Sequence, residues 1–225
     1  MLSGFIDAAS AAAVLEVGCG TGHWLQVMAG HARWIAGMDL SAGMLAHAAK
    51  AAPRAALVRG RAEHPPWRDA SFDRIVCINA LHHFSSREQF FGEARRMLRP
   101  GGALMTIGLD PHSGRDSWWV YDYFPETTAI DRARFAAVRI IRGELTRAGF
   151  AWAESMEADH IESHRPLRDA FPSGISRQFT SQLSVLTDDE FARGLQRVAD
   201  AAAAAGGDIP LVADLRFYAT TGWVG

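Results

Sequence analysis

The sequence predicts an α/β fold, a doubly wound parallel sheet with helices on both faces. Three observations predict it. Short apolar runs alternate with helix-like segments through residues 13–109. A glycine cluster, Gly18-Cys19-Gly20-Thr21-Gly22, separates the first run from the first helical segment. Strand–helix alternation at this spacing implies right-handed βαβ crossovers.

Each element follows from its residues. Ala13 to Val17 is a short apolar run stopped by glycines, and residues 22–31 form a helix carrying Trp24, Leu25 and Met28. Trp34 to Met38 is a second strand ending at Asp39. Ser41 then offers an N-cap to a helix with Met44, Leu45 and Ala48 on one face. Ala56-Leu57-Val58 is a weaker third strand. Phe72 to Ile78 is the fourth, apolar enough at its C-terminal end to be covered on both faces. Ser85-Ser86-Arg87-Glu88 reads as a capping box opening a helix that presents Phe90, Phe91, Ala94, Met97 and Leu98. Arg95, Arg96 and Arg99 read as its solvated face. That helix stops at Pro100-Gly101-Gly102, and Ala103 to Leu109 is the fifth strand.

The second half is less regular. Phe135, Val138, Ile141, Leu145 and Ala148 mark a helix ending at Gly149-Phe150, followed by a strand over residues 151–158. Thr187-Asp188-Asp189-Glu190 is a second capping box, its helix running to about Ala205, and Leu211 to Trp223 is the last strand. The connections 110–134 and 159–186 have the length of lids or caps. At ~150 residues per domain, 225 residues make one domain with two insertions.

Composition excludes several classes. With 48% hydrophobic and 21% charged residues the chain is not disordered. Twenty-three basic against 25 acidic residues give a net charge of −2, without the electrostatic footprint of a general nucleic-acid binder. A small, largely uncharged substrate fits that balance. Two cysteines, Cys19 and Cys77, favour a reducing cytoplasm over a disulfide scaffold. The small-apolar run from Ala8 to Leu15 is broken by Ser10 and falls short of the ~20 residues of a membrane span. No Lys or Arg precedes it, so it reads as mature structure rather than a secretion signal.

The glycine cluster carries the chemistry. Glycines let the backbone turn sharply and lie flat against a ligand at a helix N-terminus. A dinucleotide fingerprint needs G-x-G-x-x-G, yet His23 stands where the third glycine belongs. The pattern is instead Glu16-x-Gly18-x-Gly20-x-Gly22, with Asp39 at the end of the second strand, placed to accept from both hydroxyls of a ribose.

These residues resemble the class I S-adenosylmethionine-dependent methyltransferases, in particular the small-molecule "methyltransferase type 11" group. Residues 14–22 are similar to that family's first motif, and Gly37-Met38-Asp39-Leu40-Ser41-x-x-Met44 to its second. Arg59 to Glu63 with Pro66-Trp67 and Ala70 to Asp73, then Asn79 to Phe84, then Leu98 to Gly102, are similar to the later motifs in the family's order. The resemblance covers residues 14–110. It implies a Rossmann-like sheet of seven strands, the last antiparallel, and S-adenosylmethionine as cofactor.

It also implies roles. Gly18, Cys19, Gly20, Thr21 and Gly22 pass under the methionine and ribose of the cofactor, and Glu16 helps to fix its amino group. Asp39 binds the ribose, Leu40 and Met44 flank the adenine, Arg61 and Ala62 meet its edge, and Asn79 and Ala80 offer carbonyls to the ammonium. The family commonly has an acid where this chain has Arg61. Arginine has no acceptor, so Glu63 or a backbone carbonyl takes that role. About thirteen residues precede Val14, fewer than in relatives, so substrate cover is expected from the two insertions or from a partner subunit, with a homodimer open.

Methyl transfer needs alignment first and a base only where the acceptor loses a proton. His82 and His83, after the fourth strand, are the candidate bases; a hydrogen-bonding loop role is the plainer alternative. Asp110, His112, Trp118, Trp119, Tyr121 and Tyr123 follow the fifth strand and read either as a wall over an apolar or aromatic acceptor or as packing of the lid onto its own domain. His160 and His164, four apart, would share a helical face, but no metal-site frame surrounds them. Neither cysteine has the pattern of a nucleophile. The competing readings are a non-catalytic protein of the same fold, a cofactor-binding cyclase and a nicotinamide oxidoreductase.

Overall fold

This computed structural model describes residues 1–9 and 12–225; Ser10 and Ala11, inside the small-apolar run, lie outside the described residues. In chain order the elements are α1 (Leu2–Asp7), β1 (Ala13–Val17), α2 (His23–Met28), β2 (Trp34–Asp39), α3 (Ala42–Ala51), β3 (Ala56–Arg59), β4 (Phe72–Ile78), α4 (Arg87–Met97) and β5 (Leu98–Leu109). They continue with β6 (Ser117–Trp118), α5 (Trp119–Tyr123), α6 (Glu126–Arg134), α7 (Val138–Arg147), β7 (Trp152–Pro166), α8 (Leu167–Ala170), α9 (Ser181–Ser184), α10 (Asp188–Ala204) and β8 (Pro210–Trp223). The chain divides into two compact units: residues 1–108, 138–158 and 218–225, and residues 109–137 and 159–217.

The first unit is the doubly wound part. Its strands run in the order β3-β2-β1-β4-β5-β8, with β7 also pairing β8. The first five are parallel, Leu15 lying beside Ala36 and Ile75, and Ile75 beside Leu104, with one register shift between β4 and β5 at Phe72–Arg74. The last strand is antiparallel: Val224 N–H donates to Gly102 C=O at 2.9 Å while Thr106 meets Thr220. Side chains alternate across the sheet as a period of two requires. Val14, Val76 and Met105 join one apolar cluster with Leu25 and Met28 of α2 and Ile6 of α1. Their neighbours Leu15, Ile75 and Leu104 join the other, with Phe90 and Phe91 of α4 and Leu145 of α7. Each fully buried aliphatic here contributes about 1.5–3 kcal/mol. Arg74, also buried, donates to Phe5 C=O at 2.8 Å and lies over the Phe5 and Trp223 rings, fastening α1 to the sheet.

Several expectations need correction. The α2 helix spans His23–Met28 rather than residues 22–31, and Trp24 is 38% exposed while Leu25 and Met28 are buried, because i and i+1 point to different sides of a helix. The N-cap of α4 is Ser86, whose Oγ accepts from Gln89 N–H, so Glu88 closes no capping box. The arginines beside it are partnered: Arg96 bridges Glu93 and Asp69, Arg95 donates to Gly149 C=O, and Arg99 belongs to β5 and pairs with Asp73. The α7 helix begins at Val138, three residues later than the apolar spacing suggests. The cap of α3 is as expected, Ser41 Oγ accepting from Met44 N–H.

The second unit carries its own apolar cluster, which is why the two predicted insertions gather into one body instead of remaining appendages. Trp118, Trp119, Val120 and Phe124 pack with Leu183, Val198, Ile209 and Leu211. Two-residue β6 pairs antiparallel with β8, Trp118 opposite Ala213, and brings the strand count to eight rather than seven. Residues 159–166, predicted as the start of a cap, continue β7. His160 and His164 therefore stand on a strand, and His160 Nε2 meets Asp214 Oδ1 at 2.7 Å. The Thr187–Glu190 capping box is present at the start of α10.

Where α10 crosses Phe124, Gly194 leaves room for the ring: a Cβ there would lie 2.0 Å from Phe124 Cδ1. Gly194→Ala is expected to destabilise by about 1–3 kcal/mol through overpacking, although alanine is ~1 kcal/mol better than glycine in a helix. An unfolding midpoint in urea that rises instead would refute this packing. Among the described residues no helix is long and apolar enough to cross a membrane, and no group of three or more His, Cys, Asp or Glu is arranged to hold a metal.

Candidate functional site

The turn after β1 is built from backbone that only glycine adopts cheaply. Gly18, Gly20 and Gly22 have φ of 75°, 51° and 83°. Gly18 and Cys19 N–H both donate to Met38 C=O, at 2.8 and 3.0 Å, which ties the turn to the end of β2. A Cβ at Gly18 would lie 2.3 Å from that of Ala80, whereas one at Gly20 would meet nothing within 4 Å. Gly20 borders a cavity of about 370 Å³, within the usual range of small-molecule sites.

That cavity sits at the carboxyl ends of the parallel strands, where ligands bind in open α/β sheets. Val17, Gly18 and Gly20 line it from β1; Met38, Asp39, Leu40, Ser41 and Met44 line it from β2 and α3. Gly60, Arg61, Ala62 and Glu63 follow β3, and Asn79, Ala80, His83, Phe84 and Ser85 follow β4. All belong to the first unit. Of the residues predicted to hold a cofactor, Gly18, Gly20, Asp39, Leu40, Met44, Arg61, Ala62, Glu63, Asn79 and Ala80 meet here; Glu16, Cys19, Thr21 and Gly22 do not line the space.

Asp39 is locked by the turn it serves. Its Oδ2 accepts from Gly20 N–H at 2.9 Å and its Oδ1 from Ser41 N–H at 2.8 Å. Each carboxylate oxygen keeps a further lone pair, so the group retains acceptor capacity toward the cavity. Leu40 and Met44 are 55% and 44% exposed and line the cavity, apolar side chains suited to covering an apolar ring. Asn79 adopts φ 50°, a conformation that asparagine tolerates better than most residues, while its N–H donates to Ile107 C=O at 2.8 Å.

Glu16 is buried at the end of β1, and its Oε2 has no hydrogen-bond partner among the described residues. Burial, and then the charge of Asp39, push its carboxyl up to about 8 against the opposing pull of Leu25 N–H. An acid raised from its ordinary 4.5 keeps its proton in the fold while the unfolded chain loses it. Stability therefore falls as pH rises from about 4.5 and levels off above about 8. Glu16→Gln is expected to flatten this slope: thermal unfolding between pH 5 and 8.5 should show wild type losing stability that the variant keeps. Parallel curves would contradict the burial argument.

Cys19 Sγ turns inward under Gly37, and burial reinforced by Glu16 and Asp39 pushes its thiol up to about 12. Complete burial raises Cys77 as well. Both remain thiols and neither is a nucleophile. On the opposite strand edge, Glu63 is fastened to the start of α4: its Oε1 accepts from Ser85 N–H at 2.6 Å and Ser86 N–H at 3.2 Å. Burial raises its carboxyl, but the N–H groups of Glu63, Ser86 and Ser85 together with Arg61 outweigh that and hold it below the usual range. Arg61 Nη2 donates to Ser85 Oγ, and its Nε lies 3.6 Å from Glu63 Oε2. His82 and His83 occupy a 3-10 turn, their rings 4.0 Å apart, and His83 alone of the pair lines the cavity.

The residues predicted to hold substrate lie in the second unit, and none of them lines this cavity. Trp118 and Trp119 are core side chains there. Tyr121 Oη donates to the fully buried Asp131 at 2.8 Å, and burial, followed by the charge of Asp131, raises it far above its ordinary value. Tyr123 packs against the same apolar cluster. His112 Nε2 meets Phe135 C=O at 2.9 Å and its N–H donates to Asp110 Oδ1 at 3.0 Å, an ordinary turn. Sequence reasoning did not assign Val17, Met38, Ser41, Gly60, Phe84 and Ser85 to the cavity wall; for Ser85 the capping pattern at Ser85-Ser86 was the signal, read one residue early.

Residues 15–106 match the family described as "Methyltransferase domain". Phthiotriol/phenolphthiotriol dimycocerosates methyltransferase of Mycobacterium leprae is 33% identical over 170 residues, 74% of this chain and 59% of that protein. Malonyl-[acyl-carrier protein] O-methyltransferase of Erwinia pyrifoliae is 31% identical over 142 residues, 61% of this chain and 53% of that protein. The chain thus spans between half and three fifths of the length of these relatives. A solved structure from Anabaena variabilis, described as a candidate methyltransferase of an antibiotic biosynthesis pathway, shares the fold with a TM-score of 0.75 at 21% identity, over 97% of this chain and 94% of that one.

Proposed function

We propose, from the premise that this chain belongs to the class I S-adenosylmethionine-dependent methyltransferase family, that it methylates a small, apolar or aromatic metabolite. The cofactor is S-adenosylmethionine. The observation that carries the reading is the join between Gly20 and Asp39: the open face of the glycine and the anchored carboxylate border one cavity.

The residues present fit the cofactor. Asp39 would accept from ribose hydroxyls, Leu40 and Met44 would cover the base, and Asn79 and Ala80 would hold the methionine end. When bound, S-adenosylmethionine supplies a methyl group on a sulfonium, open to in-line displacement. The protein's task is then to align the acceptor and exclude water, worth about 7–11 kcal/mol for well-oriented groups. His83 would take the proton of a hydroxyl acceptor. An oxygen acceptor is supported by the Erwinia relative, which is named an O-methyltransferase. The buried, free cysteines support a reducing, cytoplasmic setting.

Asp39→Ala removes the charge-assisted bonds to the ligand and the anchor of Gly20, and is expected to cost about 1–3 kcal/mol of cofactor affinity. Equal calorimetric affinities for variant and wild type would place the ribose elsewhere. Incubation with methyl-tritiated S-adenosylmethionine and a set of phenols, long-chain alcohols and malonyl thioesters tests the activity. Label is expected in an extractable ester or ether, and its absence from every acceptor class would count against methyl transfer to such metabolites.

A further inference from the structure

The cavity wall between β3 and α4 offers donors where the edge of a base would meet it. Arg61 lines the cavity with a side chain 51% exposed. One of its five N–H groups goes to Ser85 Oγ, which leaves others for a ligand. The carboxylate on the same wall is already engaged. Glu63 Oε1 takes the N–H groups of Ser85 and Ser86, and its Oε2 faces Arg61. A guanidinium does not lose its proton in proteins, so pH does not convert this wall into an acceptor.

We propose that Arg61 determines base specificity at the nucleoside subsite. It pairs with acceptor atoms on the base edge and leaves an exocyclic amino group unread, so that a purine with oxygen at position 6 binds at least as well as one with an amino group. The inference rests on the reading that the cavity holds the nucleoside of S-adenosylmethionine. A site built to accept from that amino group would instead reject its absence strongly, because its buried acceptor would be left unpaired.

Calorimetry on the full chain, with S-adenosylhomocysteine and its 6-oxo counterpart S-inosylhomocysteine, tests this directly. Wild type is expected to bind the inosyl compound as tightly as the adenosyl one or more tightly. Arg61→Asp should shift the ratio of the two Kd values at least about tenfold toward adenosyl. Arg61→Met, which keeps the bulk and removes the donors, should shift it the same way by less, with thermal unfolding confirming that both variants fold. A wild type that favours adenosyl tenfold or more, with the ratio unchanged in Arg61→Asp, overturns the specificity role while leaving the cofactor reading standing. Folded wild type that binds neither compound overturns both.

Discussion

Gly20→Arg is expected to weaken S-adenosylhomocysteine binding by more than about a hundredfold, roughly 2.7 kcal/mol, while leaving the fold intact. The site for a Cβ at Gly20 meets nothing within 4 Å and Gly20 borders the cavity, so the new side chain is expected to enter that space instead of clashing with the core. A guanidinium side chain in this cavity would compete with a nucleoside for the same space. The positive φ adds strain of about 1–2 kcal/mol for any residue with a Cβ, and Gly20→Ala isolates that contribution. The arginine variant should therefore lose far more affinity than the alanine variant at similar loss of stability. Equal affinities for arginine and alanine variants would mean that Gly20 does not face the ligand.

His83→Ala is expected to lower kcat by about 10²–10⁴ with a hydroxyl acceptor, the usual contribution of a positioned base, and to leave cofactor affinity within about threefold. His83 lines the cavity and His82 does not, although their rings are neighbours. His82→Ala should accordingly leave kcat within about tenfold of wild type. The pH profile of kcat in wild type should carry an acid limb that disappears in His83→Ala. An unchanged kcat and profile would make His83 a wall residue, and the acceptor one that needs no base.

The fold was legible where apolar period and glycine punctuation coincide. The first four strands, the N-cap at Ser41 and the capping box at Thr187 stand where their residues place them, whereas β5 begins at Leu98 instead of Ala103, because α4 ends at Met97 and Pro100-Gly101-Gly102 lies within the strand. Around the cavity, Gly18, Gly20 and Asp39 were legible because their spacing is imposed by a backbone turn tied to a neighbouring strand. What escaped was set by tertiary packing. The extension of β7 through residues 159–166 is mostly polar and largely exposed, so no apolar alternation announces it. Two-residue β6 is too short to have a period. The aromatic run from Trp118 to Phe124 suggested a ligand wall, yet most of it packs as the core of the second unit, a distinction that composition alone does not carry. Glu63 likewise looked like a substitute acceptor for a base, but its Oε1 is spent on the N–H groups that open α4.

The cavity beside Gly20 and Asp39 is expected to hold S-adenosylmethionine and not a nicotinamide dinucleotide. Thermal unfolding in the presence of each ligand tests it most directly. S-adenosylhomocysteine at 100 times its Kd should stabilise the protein by about 2.7 kcal/mol, an effect absent from Gly20→Arg, whereas NAD should leave the midpoint unmoved. A shift with NAD and none with S-adenosylhomocysteine would contradict the account.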